Sequence, residues 1–319
     1  MKKSWSKRVA QLLTGSLLLG VWSFAQAFPV ILEHAQGETT LNSQPARVAV
    51  FDLAALDFLM ALEIEVAGVA GASWPDYLEH YSDTGLVSVG TLFEPDFDAL
   101  AELEPDLIII GRRTQPAYEA LSDIAPTLDL TLENGDFVTG FRRNLALLGE
   151  AFAVQSKAEA LDAAFVDALA QLQSQVDGSA LTLFTVNNNI IINAQSDRYG
   201  MLHELTGLPS VAPPAESEVA VRPEPGSPEA LALAEQREAR LQVALAAEPE
   251  WLFILDRGAA TGGEGQAEQT LAEHPAVAAS AAWQAGRVFY LDPPTWYVAT
   301  GGYLGTMDTL EQLQLRFAP

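Results

Sequence analysis

The fold is decided by residues 106–130, DLIIIGRRTQPAYEALSDIAPTLDL. The apolar run Leu107–Ile110 predicts a buried strand. The chain then passes Gly111, presents Arg112 and Arg113, and restarts as a predicted helix. The apolar face expected for that helix is Ala117, Leu121 and Ile124. Because ligands of open α/β sheets bind at the carboxyl ends of the strands, the two arginines are candidate ligand contacts; ordinary surface charges at a strand end are the simpler alternative.

Strands alternate with helices on both sides of this stretch. Towards the amino terminus the predicted elements are a strand at 47–52, a helix at 53–62, strands at 66–71 and 87–90, and a helix at 96–103. Towards the carboxyl terminus they are strands at 181–186, 190–194, 251–256 and 288–291, with helices at 199–205, 229–246 and 305–317. This alternation indicates the α/β class, with mostly parallel sheets covered by helices on both faces.

Two further helices are predicted between these halves, at 137–152 and 156–176. Ser156 and Glu159 have the spacing of a capping box at the start of the second helix. A long helix between two sheet-forming halves predicts a rigid connector, although two peripheral helices of a single domain would show the same pattern. We therefore predict two α/β lobes joined by one long connecting helix. The predicted boundaries are 28–150 for the N-terminal lobe, 151–178 for the connecting helix and 179–319 for the C-terminal lobe.

Residues 1–27 have the pattern of a secretory signal peptide. Basic residues precede an apolar segment at 12–21, and Ala25-Gln26-Ala27 places small residues at alternate positions, so cleavage is expected after Ala27. The apolar segment is too short to span a bilayer. The chain has no cysteine, and therefore no lipid-anchor site and no disulfide framework. We expect an exported, soluble protein that is not a lipoprotein.

The charge of the mature chain is strongly negative. Removing the four basic residues of the leader from the total of 17 leaves 13, against 42 acidic residues, which gives a net charge of −29. Such a charge argues against nucleic acid or an anionic membrane as a partner. An anionic ligand could be held only if a few arginines are brought together in one cleft.

Three arginines follow strong predicted strands. Arg112 follows the strand at 107–110, Arg198 follows the strand at 190–194, and Arg257 follows the strand at 251–256. Each alone is more simply a surface residue, but their parallel placement predicts that they converge on a cleft between the lobes. A guanidinium group favours carboxylate, catecholate or phosphate oxygens.

The segment 291–305, LDPPTWYVATGGYLG, is rich in aromatic residues. We interpret it as a loop in which Trp296, Tyr297 and Tyr303 surround a pair of glycines after a strand. Such a loop can stack on a planar ligand, and a tyrosine phenolate is a hard donor suited to ferric iron. Packing between the lobes is the alternative role for these rings.

Other chemistry is weakly indicated. The run Gly262-Gly263-Glu264-Gly265 lacks the Gly-Lys-Ser/Thr ending of a phosphate-binding loop. The four histidines show no paired metal-ligand spacing, and His203 is predicted to be structural. There is no Gly-x-Ser-x-Gly nucleophile motif and no cysteine nucleophile. The sequence therefore does not predict an enzyme.

Several segments together resemble a known family across nearly the whole mature chain. They are RVAVFDLAALDFL, VGTLFEPDFDALAELEPDLIIIGRR, DRYGMLHELTG, WLFILDRGAA and VFYLDPPTWYVATGG. The resemblance is to the periplasmic iron–siderophore binding proteins of ABC importers, and within them to the subgroup that takes ferric catecholate, petrobactin- or anguibactin-like siderophores. It implies a class III periplasmic binding protein fold with modest closure, a location in the periplasm, and an Fe(III)–siderophore complex as the ligand in the cleft. No permanent cofactor is expected.

The resemblance also implies roles for particular residues. Arg112, Arg198 and Arg257 match the basic triad of that subgroup, and Arg113 is left as a surface or supporting residue. Tyr297 falls where such proteins can offer a phenolate to iron, which makes it a possible direct Fe(III) ligand, with Trp296 beside it in the predicted ligand site. Relatives carry a histidine loop where this chain has the histidine-free segment 213–228. Arg222 in that segment could supply charge instead.

The same resemblance implies an ABC permease in the inner membrane as the partner of a monomeric receptor. Asp98 occupies the docking position of the first lobe. The position on the second lobe falls near Gln242, with Glu235 and Glu238 on the same helix as substitutes, and Glu238 is the residue we select. The alternatives are a haem or cobalamin receptor of the same architecture, a zinc or manganese receptor, and a secreted α/β hydrolase.

Overall fold

The computed structural model describes residues 28–83, 85–213 and 223–318. The predicted signal peptide, residues 1–27, lies outside these residues, and so does Arg222. Within the described part of the chain, no helix is both long enough and apolar enough to cross a membrane.

The N-terminal part forms one hairpin and one parallel sheet. Its elements are β1 (Val30–His34), β2 (Gly37–Leu41), β3 (Val48–Val50), α1 (Leu53–Ala61), β4 (Gly68–Gly71), a 3-10 helix (Asp76–Asp83), β5 (Val87–Thr91), α2 (Phe97–Leu103), β6 (Leu107–Ile110), a short 3-10 turn (Gln115–Ala117), α3 (Tyr118–Ser122) and β7 (Thr127–Asp129). The sheet has the order β5-β4-β3-β6-β7, with all neighbours parallel. All four residues of β6 are buried, because helices cover both faces of a central parallel strand.

Two details of the predicted helix after β6 are wrong. The chain forms a 3-10 turn before α3, and Ile124 lies beyond the end of α3 with 38% of its surface exposed. Leu121 is fully buried, as predicted. The strand β7 was not predicted, because its three residues are too few to show a strand pattern.

Two helices, α4 (Phe137–Ala151) and α5 (Gln155–Gln173), follow this sheet. The helix α5 begins after Val154, which makes no side-chain capping bond, so the predicted capping box of Ser156 and Glu159 is wrong. The long helix buries Phe165 and Leu172 and packs against α4 as well as against two elements of the C-terminal part. It therefore joins the two halves of the molecule.

The C-terminal part forms a second sheet. Its elements are β8 (Ala180–Val186), β9 (Asn189–Asn193), α6 (Met201–Thr206), α7 (Pro228–Ala246), β10 (Trp251–Asp256), α8 (Arg257–Ala260), α9 (Ala267–Glu273), α10 (Pro275–Ala278), α11 (Ala281–Gln284), β11 (Val288–Tyr290), α12 (Pro293–Tyr297) and α13 (Tyr303–Phe317). The order is β11-β10-β8-β9, parallel except for the hairpin β8–β9. Asn187 and Asn188 form its turn with φ of 48° and 62°, left-handed values that asparagine tolerates.

The aromatic segment 291–305 is not a simple loop, which corrects our interpretation. It contains α12, whose first turn is capped by the carboxylate of Asp292 and begins with two prolines. Proline is favoured at the first helical position, where its missing N–H costs nothing. Because of α12, neighbouring aromatic residues of the segment point in different directions.

Two carboxylates cross between the halves and cap helices on the other side. Asp57 in α1 accepts hydrogen bonds from the backbone N–H groups of Leu304 (2.6 Å) and Gly305 (3.0 Å) at the start of α13. Glu204 in α6 accepts from the N–H groups of Phe137 (3.0 Å) and Val138 (3.2 Å) at the start of α4. A carboxylate at a helix N-terminus accepts hydrogen bonds from N–H groups that have no partner within the helix. Its negative charge also interacts favourably with the positive end of the helix dipole.

The architecture is therefore two α/β lobes joined by a long helix. The lobe boundaries at residues 150 and 178 stay a prediction.

Candidate ligand-binding cleft

Arg112 lies at the carboxyl end of β6, on the N-terminal side of the cleft between the lobes. Its guanidinium donates to the carbonyl of Leu132 (2.5 Å) and to Oδ1 of Asn134 (3.3 Å). The side chain is exposed and lines the same cleft cavity as Arg198. Leu132 and Asn134, in the same lobe, thus accept some of the hydrogen bonds that Arg112 can donate. Its remaining N–H groups are available to a ligand in the cleft.

Arg113 crosses the cleft. Its two terminal nitrogens donate to the backbone carbonyls of Tyr297 (2.5 Å) and Val298 (3.4 Å), and its guanidinium carbon lies 5.2 Å from the centroid of the Tyr297 ring. The side chain is half-buried and lines the same cavity as Arg112 and Arg198, so Arg113 is not a surface residue. Its nearest partners therefore belong to the opposite lobe, which the sequence did not indicate.

A carboxylate supports this strand end. Asp52 caps α1 by accepting from the N–H of Ala54 (2.9 Å), and it lies directly against Gly111. A Cβ atom at Gly111 would come within 1.8 Å of Asp52 Oδ2, so only glycine leaves room for the carboxylate. Burial raises the pKa of Asp52, and the positive charge of Arg113 partly opposes that rise.

Arg257 and Tyr297 form the centre of the C-terminal side. Arg257 is the first residue of α8, and its Nε donates to the phenol oxygen of Tyr297 (3.1 Å). The preceding Asp256 accepts from the N–H groups of Gly258 (2.8 Å), Gln266 (2.7 Å) and Ala267 (2.7 Å). The glycine-rich run at 262–265 thus lies in a loop whose end is bonded to Asp256, the last residue of β10.

Three aromatic rings form a flat wall beside this arginine. Phe184 and Tyr199 stack at 4.5 Å between centroids, and Tyr297 lies 6.1 Å from each of them with interplanar angles of 16° and 24°. Arg198 places its guanidinium carbon 5.1 Å from the centre of the Tyr199 ring. Stacked rings with guanidinium groups on them suit planar anionic ligands.

The rings line an open cavity of about 400 Å³ together with Arg198, Arg257 and a further arginine, Arg237 of α7. Sequence reasoning missed Arg237. The helix α7 is rich in alanine and in charged residues, so no apolar stripe shows which of its faces meets the molecule. The side chain of Arg198 lines both this cavity and the neighbouring one that contains Arg112, and so connects the two.

Trp296 is not available to a ligand in the cleft, which corrects the predicted site. It is 1% exposed, and its indole N–H donates to Oγ1 of Thr309 (2.8 Å) in α13. Its ring lies 5.8 Å from that of Phe137. Consecutive residues on a helix point about 100° apart, so α12 directs Trp296 into the core and Tyr297 towards the cavity.

The histidines and acids have other surroundings. Over the described ranges, no three histidine, cysteine or acidic side chains are grouped as a metal site. His203 is buried between Oγ1 of Thr182 (3.0 Å) and the carbonyl of Leu208 (3.0 Å), and burial lowers its pKa. The prediction that His203 is structural is confirmed.

The two predicted docking acids lie on the outer surface. Asp98 is exposed in the first turn of α2, whose N-cap is Asp96. Glu238 on α7 is bonded to Nε2 of His274 (3.0 Å) and accepts from the amide of Gln242 (2.7 Å). The carboxylate oxygens of Glu238 are therefore already bonded to two neighbours in its own lobe, His274 and Gln242.

The sequence model of the periplasmic binding proteins matches residues 48–295. The chain belongs to the periplasmic binding protein family. This periplasmic binding protein is 30% identical over 288 residues to the petrobactin-binding protein YclQ of Bacillus subtilis, covering 86% of this chain and 84% of YclQ. It is 28% identical over 281 residues to the ferric-anguibactin-binding protein FatB of Vibrio anguillarum, covering 85% and 82% of the two chains.

Solved structures show the same architecture. The crystal structure of YclQ aligns with a TM-score of 0.78 at 26% identity, covering 92% of this periplasmic binding protein and 99% of YclQ. The catecholate-siderophore binding protein VctP of Vibrio cholerae aligns with a TM-score of 0.77 at 26% identity, covering 90% and 100%. The predicted class III fold is therefore confirmed, and family membership confirms a binding protein rather than an enzyme.

Proposed function

We propose that this protein binds a ferric siderophore of the catecholate type between its lobes and delivers it to an inner-membrane ABC permease. The observation that carries the proposal is the C-terminal wall, where Arg198 and Arg257 flank the stacked rings that include Tyr297. YclQ, FatB and VctP, whose names state a siderophore ligand, support it. These relatives do not favour haem or cobalamin.

The charge of the protein explains why arginines are needed. A ferric catecholate complex is an anion, and a chain with 42 acidic residues repels anions unless positive groups are concentrated at one place. Guanidinium groups donate several hydrogen bonds to oxygens in a fixed plane. We propose that Arg112, Arg198 and Arg257 donate to the catecholate oxygens, and that Arg237 adds charge at the edge of the cavity.

Tyr297 has a distinct place in the proposal. Its phenol already accepts a hydrogen bond from Arg257 and faces the cavity. A siderophore that fills all six iron positions would meet it as a hydrogen-bonding and stacking group. A siderophore that leaves a position open would take its oxygen as a direct Fe(III) ligand, because hard oxygen donors suit ferric iron.

Binding is tested with the mature chain, residues 28–319. Tryptophan fluorescence is recorded during titration with ferric catecholate, ferric citrate and ferric hydroxamate complexes, and the iron-free chelators are the controls. We expect saturable quenching with the catecholate and affinity at least about tenfold weaker for the hydroxamate. Absence of saturable binding with all three classes would overturn the proposal.

Localisation and coupling to the permease belong to the same proposal. We propose that residues 1–27 direct export and that the protein is free in the periplasm, because it has no cysteine for a lipid anchor. We further propose that it is a monomer and that Asp98 and Glu238 dock to the permease. Asp98→Lys and Glu238→Lys should reduce uptake of radioactive iron in cells while leaving ferric siderophore affinity unchanged. The exposed Glu104, paired with Arg47 at 3.5 Å, provides a control as Glu104→Lys. Uptake that survives both docking changes would exclude these two residues.

A further inference from the structure

We infer that a second cavity, between α7 and α9, binds the linker of the siderophore, the part that joins its chelating groups, and that this linker carries amine or amide N–H groups. The inference rests on the proposed function and deepens it, because it gives a chemical class to the part of the ligand that does not bind iron. We call this space the α7–α9 cavity, and the space lined by Tyr297, Arg198 and Arg257 the arginine cavity.

The α7–α9 cavity has a volume of about 560 Å³ and lies at the carboxyl edge of the C-terminal sheet. It is lined by Ile190 and by Asn188 and Asn189, which directly follow the turn after β8. It is also lined by Gln266, whose backbone N–H donates to Asp256 at the end of β10 (2.7 Å). Because ligands of α/β sheets bind at this edge, the cavity lies where a ligand held at the strand ends can extend.

The two cavities share part of their lining. Asn189 and Arg237 line both the α7–α9 cavity and the arginine cavity of about 400 Å³. Ala234 and Glu238, one turn apart on α7, line the α7–α9 cavity, and the half-buried Arg237 lies at the junction. A ligand whose catecholate groups contact Arg257 can therefore continue past Arg237 into the second space.

The two cavities have opposite chemical character. The arginine cavity is lined by three arginines and, among the described residues, by no acidic side chain. The α7–α9 cavity is lined by the carboxylates of Glu238 and Glu273 and by side-chain amides of α9 and of the turn after β8. The anionic iron complex thus meets positive groups, whereas a linker that enters the second space meets hydrogen-bond acceptors and negative charge.

One of the two carboxylates retains most of its capacity to accept hydrogen bonds. Glu238 is bonded to Nε2 of His274 (3.0 Å) and to the amide of Gln242 (2.7 Å). Glu273 accepts from the amide of Gln269 (2.8 Å) through Oε1 only, which leaves its Oε2 to accept from a ligand. Since hydrogen bonds between charged groups are the stronger ones, we expect Glu273 to bind a protonated amine of the linker.

A buried hydroxyl group on the same face of the sheet adds a second observation. Thr185 is paired with Ile190 across β8 and β9, so its side chain lies on the face of the sheet that the cavity covers. It is 3% exposed, and within the described ranges its Oγ1 has no hydrogen-bond partner. Because buried hydroxyl groups are normally hydrogen-bonded, this position favours a polar ligand over an apolar one.

Two synthetic chelators test the inference. Both carry the same catecholate groups, but one has a secondary amine in its linker where the other has a methylene group. The mature wild-type chain should bind the ferric complex of the amine chelator about fivefold more tightly, as measured by tryptophan fluorescence. Glu273→Gln should reduce this preference to less than about twofold. Glu268→Gln, on the same helix but outside the cavity lining, should keep it and controls for the general attraction of an amine to an acidic protein.

A steric variant tests the same space without changing charge. Ala234→Phe places a ring in the α7–α9 cavity and should weaken binding of both linked ferric complexes about tenfold. The ferric complex of unlinked catechol should bind this variant within about twofold of wild type. Ala232→Phe, an exposed position on the same helix outside the lining, is the matched control.

The outcomes separate this inference from the proposed function. Equal wild-type affinities for the amine and methylene chelates, or unchanged binding of the linked chelates by Ala234→Phe, would overturn the inference. The proposed function would still stand if the wild type binds the ferric complex of unlinked catechol. A wild-type protein that binds none of the three ferric complexes would overturn both.

Discussion

The two walls of the cleft differ in what they offer a ligand. The C-terminal wall presents a flat aromatic surface with Arg198, Arg237 and Arg257 around it. The N-terminal wall presents Arg112, whose guanidinium is already bonded to its own lobe, and Arg113, which reaches the opposite lobe. Behind them lie the half-buried carboxylate of Asp52 and the buried carboxylate of Asp129. The difference indicates that the C-terminal lobe provides most of the recognition, while the N-terminal lobe completes the site.

The largest expected effect comes from removing the charge of the C-terminal wall. Arg198→Ala combined with Arg257→Ala should weaken binding of a ferric catecholate about a thousandfold, since each hydrogen bond from a charged group contributes about 2 kcal/mol. The control is Arg47→Ala with Arg287→Ala, which removes two exposed arginines paired with Glu104 and Glu250. Titration by tryptophan fluorescence measures both. Equal affinities of the two double variants would show that Arg198 and Arg257 of the C-terminal wall do not bind the ligand.

A smaller effect is expected at the N-terminal wall. Arg112→Ala should weaken the same binding about tenfold, because Leu132 and Asn134 already accept part of the hydrogen bonds that Arg112 donates. Isothermal titration calorimetry gives the affinity and enthalpy. A loss as large as that of the C-terminal double variant would show that the two walls contribute equally.

The buried carboxylate Asp57 lies behind the cleft and should affect stability rather than affinity. Burial raises its pKa from 3.8 to about 6. The folded protein therefore takes up a proton between pH 6 and pH 4 that the unfolded chain does not. Relative to Asp57→Asn, the wild type should gain about 1 kcal/mol of unfolding free energy as the pH falls from 7 to 5, and lose it as the pH rises through 6.

Urea unfolding at several pH values measures this difference. Affinity for the ferric catecholate at pH 7 should stay within about twofold in Asp57→Asn, because the carboxylate bonds to α13 and not to the cleft. If the unfolding free energies of wild type and Asp57→Asn changed with pH in parallel, the expectation would be contradicted.

The smallest expected effect is at Arg237, which marks the outer edge of the C-terminal wall. Arg237→Ala should weaken binding about threefold, because the half-buried side chain lines the cavity next to Leu233 and leaves the central arginines in place. Arg287→Ala, which removes an exposed arginine paired with Glu250, is the matched control. Competition between ferric siderophores of different length should then show whether Arg237 discriminates among them, and identical rankings in variant and wild type would exclude that role.

Much of the fold could be predicted because its strands carry continuous apolar runs. The four residues of β6 and the six of β10 are almost all fully buried, and such runs are the signature of parallel strands covered on both faces. The rule that ligands meet strand ends then made Arg112, Arg113 and Arg257 candidates without any knowledge of distances. His203 was also predicted correctly, because a lone histidine in an apolar helix is usually bonded within the core.

The remaining features depend on directions that a linear pattern does not contain. Arg112 and Arg113 are neighbours, yet one bonds within its own lobe and the other reaches the opposite lobe. Trp296 and Tyr297 are neighbours, yet the short helix α12 buries the first and presents the second to the cavity. In both pairs the residue types were recognised, but their roles were set by packing that a linear pattern does not show. Arg113 meets Tyr297, 184 positions away, and Trp296 packs against Phe137 and bonds to Thr309.

The caps that Asp57 and Glu204 provide across the cleft have a consequence for how the protein unfolds. Each lobe contains a helix whose first N–H groups are bonded by the other lobe, and losing such a cap costs about 1 kcal/mol. A lobe expressed alone would carry one uncapped helix and one carboxylate without its partners. The two halves are therefore expected to melt in a single cooperative transition, and two co-expressed fragments divided near residue 178 should reassemble, because each holds the anion that the other requires.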